Sequence, residues 1–194
     1  MPPKAKISED MIIDAAFQIA RSDGADKVTA RSISERLNCS TQPVLYYFST
    51  VDEIKKAVYQ QADQYHTGYI MNMEKDYGNP FLSIGLNYIR FAVEEPHLFR
   101  FLFQSNEFSG AGLSDLIQSD DLAPIFEILQ QEIDTTSEKA REIFSSLFIF
   151  VHGYASLYAN NSMVYDENNL IETLTKLFDG IVYALKEGSN EEDL

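Results

Sequence analysis

The sequence is short of several things at once. Its 194 residues include one cysteine, Cys39, so a disulfide framework is excluded. Tryptophan is absent, and six prolines and nine glycines are too few for a low-complexity or fibrous chain. No stretch approaches the roughly 18 consecutive apolar residues of a membrane span. The opening MPPKAKISED has two lysines but no apolar segment behind them, so neither a signal peptide nor a membrane partner is expected. With one thiol, the expected compartment is a reducing cytoplasm. Positive charge is scarce too: 15 Lys and Arg stand against 30 Asp and Glu, a net charge of −15. Taken alone, that balance argues against a nucleic-acid binder, because DNA-binding domains usually present a basic surface.

The patterns of catalysis are missing as well. There is no HExxH, GxSxG, CxxC or P-loop motif. Gly110-x-Gly112 lacks the third glycine and the preceding strand of a dinucleotide site. His66, His97 and His152 have no metal-ligand spacing, and the carboxylates are spread along helical segments as a solvated face. The chain is therefore read as a non-enzyme, with no catalytic residue, no metal and no cofactor.

What is present is a large apolar content, 45% hydrophobic residues with 13 Phe and 11 Tyr, enough for a sizeable core. The charge has an address. Residues 1–60 hold eight basic and eight acidic side chains, whereas residues 61–194 hold seven and twenty-two. A neutral head precedes an acidic body.

Apolar residues recur at three- and four-residue spacing throughout, which predicts an all-α chain. A first helix spans about Ser8–Asp23, capped by Ser8 and ended by Gly24, with Ile12, Ala16, Ile19 and Ala20 as its apolar stripe. Thr29 caps a short second helix. Asn38 suits a left-handed turn, and Ser40 is read as the cap of a third helix, Thr41–Tyr47, with Pro43 in its first turn. A fourth helix runs from near Thr50 to about Met73. Asn79-Pro80 and Pro96 open two more, the second covering His97–Gln104. A loop at Ser109–Gly112 precedes a helix near Pro124. Thr135, three before Glu138, is read as the cap of a long helix over 137–160, and a last helix follows over 168–187.

Two short helices joined by a tight turn, Thr29–Leu37 and Ser40–Tyr47, form a helix-turn-helix, which offers the start of its second helix to a DNA major groove. The flanks sharpen this. The run from Ile12 to Val58 contains Ile13-x-Ala15-Ala16, the Gly24 turn, Val28-Thr29-x-Arg31-x-Ile33, Ser40 before the recognition helix and the closing Tyr46-Tyr47-Phe48. This run resembles the DNA-binding head of the TetR family of bacterial transcriptional regulators. The resemblance implies a homodimeric, all-helical repressor that reads a palindromic operator in double-stranded DNA, with a C-terminal body that binds a small-molecule effector. It also implies release from DNA when the effector moves the two heads out of register with half-sites about 34–36 Å apart.

Thr41, Gln42 and Pro43 begin the recognition helix, where Gln pairs with adenine and a Thr methyl meets thymine. Thr29 and Ser40 are helix caps whose hydroxyls can also reach phosphate. Arg31 occupies a position the family often uses on DNA. Tyr46 and Tyr47 close the helix, for phosphate contact or for packing. Lys55 or Lys56 reaches for backbone from the fourth helix, Lys56 being the one more suited to a solvated charge, and Lys4 and Lys6 form a basic arm. Two positions depart from the family pattern: Leu45 stands where many members carry tyrosine, and Val51 where many carry lysine. With no Lys or Arg in the recognition helix, they leave a second reading open, an all-helical dimeric ligand-binding or interaction protein that has lost DNA binding.

In the body, Tyr88-Ile89-Arg90-Phe91-Ala92 with Pro96, Phe99 and Phe103, and later Val151-His152-Gly153, resembles a TetR subgroup with a Trp-His-Gly signature, Val151 replacing the Trp. Phe91, Phe99, Phe103, Phe148, His152 and Tyr158 either line an apolar ligand pocket or simply fill the core. The final two helices are apolar on most of their circumference. One stripe is Phe144, Phe148, Val151, Ala155 and Tyr158, the next Ile143, Leu147, Phe150, Tyr154 and Leu157. They suit either one monomeric core or a homodimer through these two helices. The expected organisation is a helix-turn-helix DNA-binding domain over 6–66, an effector-binding and dimerisation domain over 67–187, and a disordered acidic tail over 188–194.

Overall fold

The computed structural model describes residues 7–74, 77–105, 122–160 and 163–191. Among them there are nine α-helices, one 3-10 turn and no strand. The chain divides into two compact units. The first comprises residues up to Gly68 together with Glu95–Glu107, the second Tyr69–Glu94 together with the chain from Phe108 on.

In the first unit, α1 (Glu9–Asp23) starts where Ser8 accepts a hydrogen bond from the Met11 N–H, and Glu9 and Asp10 sit at its positive end. It stops at Gly24, whose φ of 101° is open only to glycine without strain. The face formed by Ile12, Ala16, Ile19 and Ala20 is buried as the periodicity predicts, and Phe17 joins it. A 3-10 turn (Ala25–Lys27) leads to α2 (Ala30–Arg36) and, after the 37–41 turn, to α3 (Gln42–Tyr47). Ile33, Val44, Phe48, Ile54 and Val58 complete the core, each side chain contributing roughly 1.5–3 kcal/mol on burial.

Helix α4 runs Val51–Ile70, shorter than the reading to Met73. The buried Asn87 amide donates to the Ile70 carbonyl at 3.2 Å and to the Asn72 carbonyl at 2.7 Å, satisfying groups that a further turn of helix would use. Helix α6 (Pro96–Phe103) belongs to the first unit and packs on α1.

The second unit is built from α5 (Pro80–Glu94), α7 (Ala123–Ile133), α8 (Ser137–Ala159) and α9 (Glu167–Glu191). Helix α5 is held at its start by Asn79, whose side chain accepts from the Leu82 N–H at 2.8 Å. It packs most extensively on α8, with Gly85 facing Val151. The cap of α8 is Thr136, not Thr135: Asp134 takes a left-handed φ of 50° to end α7, so the first extended residue is Thr136, which accepts from the Lys139 N–H at 3.3 Å. Leu170, Leu174 and Phe178 form the buried face of α9, with Leu177 and Ile181 half-buried. Helix α9 continues to Glu191, past residue 188 where the sequence suggests the tail. The Lys4/Lys6 arm and the Ser109–Gly112 loop lie outside the described residues.

Arg90 organises one end of this unit. It bonds the Asn87 side-chain oxygen at 3.1 Å, the Tyr77 hydroxyl and Glu167 at the start of α9, and Tyr77 also donates to Glu167 at 2.6 Å.

Candidate nucleic-acid interface and aromatic cluster of the second unit

The helix-turn-helix is set from below by its buried residues and from within by its caps. Thr29 makes a reciprocal box with Ser32. Its hydroxyl accepts the Ser32 N–H at 3.0 Å, and the Ser32 hydroxyl accepts the Thr29 N–H at 3.0 Å. Serine thus fills the place where Glu or Gln is usual. Sequence reading missed Ser32, although a hydroxyl three residues after a cap is a usable signal. The turn places Asn38 at φ 51° and closes with the Cys39 N–H on the Ser34 carbonyl at 3.0 Å. Cys39 is half-buried there.

Ser40 does not cap α3. The capping position is Thr41, in helical conformation and with no side-chain cap bond. Pro43 explains this: it removes one of the N–H groups that a cap would satisfy. The hydroxyls of Ser40 and Thr41 are exposed, and so is Gln42. Val44 is fully buried and fixes the rotation of the short helix. Leu45 and Tyr46 are then left on the outer side, 58% and 83% exposed. Pro43 and Tyr47 are both half-buried at its flanks, and Tyr47 meets the Tyr46 ring edge-on at 5.2 Å. Phe48 goes into the core.

Thr29 and Arg31 are exposed on α2 and its cap. Arg31 pairs with Glu35 one turn on, at 2.8 Å. Both side chains are largely solvated, so the pair holds Arg31 weakly, and exchanging Glu35 for a phosphate costs little. Lys55 is half-buried and lines a cleft with residues of α6, whereas its neighbour Lys56 is exposed.

The six aromatic candidates for a ligand pocket fall in different places. Phe148 and His152 lie together on α8, with ring centroids 5.5 Å apart, and His152 Nδ1 is 2.8 Å from the hydroxyl of Tyr88 on α5. Phe144 stacks on Phe148 at 5.6 Å, and Phe126 meets Phe144 at 5.2 Å. Burial holds the Tyr88 phenol well above its usual pKa and lowers that of His152, so each side chain is kept neutral. A neutral hydroxyl–imidazole pair beside the Phe148 ring offers directional hydrogen bonding without net charge. Tyr88 is the partner that the sequence reading left out.

Phe91 is fully buried against Tyr69, at 5.3 Å. Tyr158 is buried further along α8, between Tyr154 and Tyr165. Phe99 and Phe103 belong to the first unit, where they pack on each other at 5.1 Å and Phe103 meets His66 at 5.0 Å.

Known proteins share both the body and the fold. The family described as "Tetracyclin repressor-like, C-terminal domain" matches residues 81–179, just over half of the chain. Two solved structures share the fold over nearly their whole length. One is a TetR variant from Acinetobacter baumannii AYE in complex with minocycline, at TM-score 0.55 and 13% identity, covering 94% of this chain and 98% of that one. The other is a TetR transcriptional regulator from Rhodococcus sp. RHA1, at TM-score 0.51 and 15% identity, covering 91% and 97%. No curated protein matches. The matched body, the all-helical fold and the helix-turn-helix agree, and the chain belongs to the tetracycline-repressor-like, or TetR, family.

Proposed function

We propose that this protein is a ligand-responsive, sequence-specific regulator of transcription, a repressor that leaves its operator when a small molecule binds the body. The observation that carries the reading is the presentation of α3. Val44 anchors it from beneath, while Thr41, Gln42 and Tyr46 face outward. Exposed polar residues at the start of the second helix suit base-edge contact, Gln42 with adenine above all. Thr29, Ser40 and Arg31 then serve the phosphates, with Pro43 and Tyr47 shaping the helix and Lys55 adding charge behind it.

The effector chemistry follows from the Tyr88–His152–Phe148 cluster. It suits a largely apolar or aromatic molecule carrying one hydrogen-bonding group, as the minocycline complex of the Acinetobacter baumannii neighbour is consistent with. The Val151-His152-Gly153 run fits the subgroup with a Trp-His-Gly signature. A homodimer through α8 and α9 is supported by the exposed apolar line Ile149–Gly153–Leu157 on α8 and by Tyr183 on α9.

The test is selection from a random DNA pool. Enrichment of a two-fold symmetric sequence with half-sites about one helical turn apart supports the reading. A pool that stays random supports the second reading, a dimer without DNA binding. The specific observation on that side is the outward-facing Leu45 in a recognition helix that has no cation.

A further inference from the structure

The recognition helix presents a neutral outer surface with an apolar residue inside it. The Leu45 N–H donates to the Thr41 carbonyl at 3.0 Å and the Phe48 N–H to the Val44 carbonyl at 3.0 Å, so α3 is regular at both ends. With about 3.6 residues per turn, Thr41, Leu45, Gln42 and Tyr46 follow one another in that order across an arc of roughly 140°. All four are exposed, whereas Val44, on the far side of Thr41, is fully buried. Leu45 therefore stands between Thr41 and Gln42, the two side chains best suited to base edges.

No residue of α3 is charged. A single exposed leucine is ordinary on a protein surface, but this one lies where a major groove would enclose it. The groove offers one apolar feature, the C5-methyl group of thymine; the other bases present hydrogen-bonding groups there. A leucine pressed on such a group leaves it without partner or water, which costs binding. A leucine on a methyl group gains instead, because both apolar surfaces leave water. Reading of guanine most often uses Arg or Lys, and α3 has neither. Gln suits adenine, and Thr and Leu suit thymine, so this surface favours A·T pairs.

We propose that Leu45 is a specificity-determining residue that packs on the methyl group of one thymine in each operator half-site. The proposal rests on the DNA-binding reading above and adds to it the chemical feature that is recognised. Where many family members carry tyrosine, this chain thereby gains a base contact.

The experiment uses the full-length protein and the duplex enriched from a random pool, with each thymine replaced in turn by deoxyuridine, which removes the methyl group and keeps the pairing. Fluorescence anisotropy is expected to show one thymine per half-site whose replacement weakens wild-type binding about fourfold, and about fifteenfold when made in both half-sites, the burial of one methyl group each time. Leu45→Ala is expected to bind the thymine duplex more weakly and to be insensitive to that replacement, as groups in contact are coupled. Its urea midpoint is expected to match the wild type, because Leu45 lies on the surface. Thr41→Ala is expected to keep the sensitivity at that position. An enriched operator indifferent to deoxyuridine at every thymine, a half-site without thymine, or equal sensitivity in Leu45→Ala and wild type overturns the proposal and leaves the DNA-binding reading standing. A pool that stays random overturns both.

Discussion

Arg21 on α1 and Glu95 at the start of α6 are joined side by side. Arg21 Nε lies 2.9 and 2.8 Å from the two Glu95 oxygens, and Arg21 Nη2 also bonds that carboxylate. Tyr65 on α4 completes the triad, at 3.1 Å from each partner and with the guanidinium over its ring. The carboxylate ties three helices of the first unit together and is itself buried, 7% exposed. The bonds to Glu95 raise the Arg21 pKa, so its charge is secure.

Removing Arg21 leaves the buried Glu95 carboxylate without its main partner, and removing Glu95 leaves the Arg21 guanidinium without its own. Arg21→Gln and Glu95→Ala are each expected to destabilise the protein by about 1–3 kcal/mol, below the largest values for buried pairs because Arg21 is partly solvated. Urea unfolding of the single and double variants checks this. The double variant should cost less than the two singles together, as coupled partners do.

His66 makes stability depend on pH. Burial lowers its pKa from 6.5 to about 4. The unfolded chain therefore takes up a proton as the pH falls through 6.5, while the folded one does not until about 4. The contribution of neutral His66 is full above 6.5 and is lost progressively between 6.5 and 4, a loss of roughly 3 kcal/mol. His66→Leu should flatten that part of the stability profile, measured by denaturant midpoints at each pH.

The dimer proposal predicts a separable surface. Ile149 and Leu157 are 60% and 44% exposed and lie on one line of α8. Ile149→Glu with Leu157→Glu should yield a folded monomer in sedimentation at micromolar concentration, where the wild type sediments as a dimer. A wild-type monomer removes the interface.

Tyr88→Phe tests the body cluster. It takes the hydroxyl from His152 Nδ1, now 2.8 Å away, and should cost about 1 kcal/mol with the core otherwise kept. Thermal unfolding of the variant and of His152→Phe, singly and together, reads the coupling.

Much of the fold was legible in local rules, because it depends on local chemistry. Ser8, Gly24, Thr29, Asn38 and Asn79 act where sequence reading places them. The misplacements at Ser40 and Thr135 have one kind of cause. Pro43 and the left-handed Asp134 each shift a cap by one residue, and a hydroxyl at either of two adjacent positions satisfies the same pattern. The end of α4 was hidden because Asn87, seventeen residues beyond Ile70, ends it. Long-range pairing also hid Arg21–Glu95 and Tyr88–His152, which no spacing rule connects. The aromatic candidates were chosen by type, and type does not tell Phe148 beside a histidine from Phe99 in a core.

DNA reading by the exposed start of α3 depends most directly on Gln42. The decisive measurement is fluorescence anisotropy of the selected operator and of a scrambled duplex, with wild type and Gln42→Ala, over a range of salt. The predicted wild-type preference for the operator is about 1,000-fold or more. Gln42→Ala is predicted to lose about tenfold or more of that preference while its urea midpoint is unchanged. Equal affinity for operator and scrambled DNA in the wild type, at every salt concentration, would contradict DNA reading by α3.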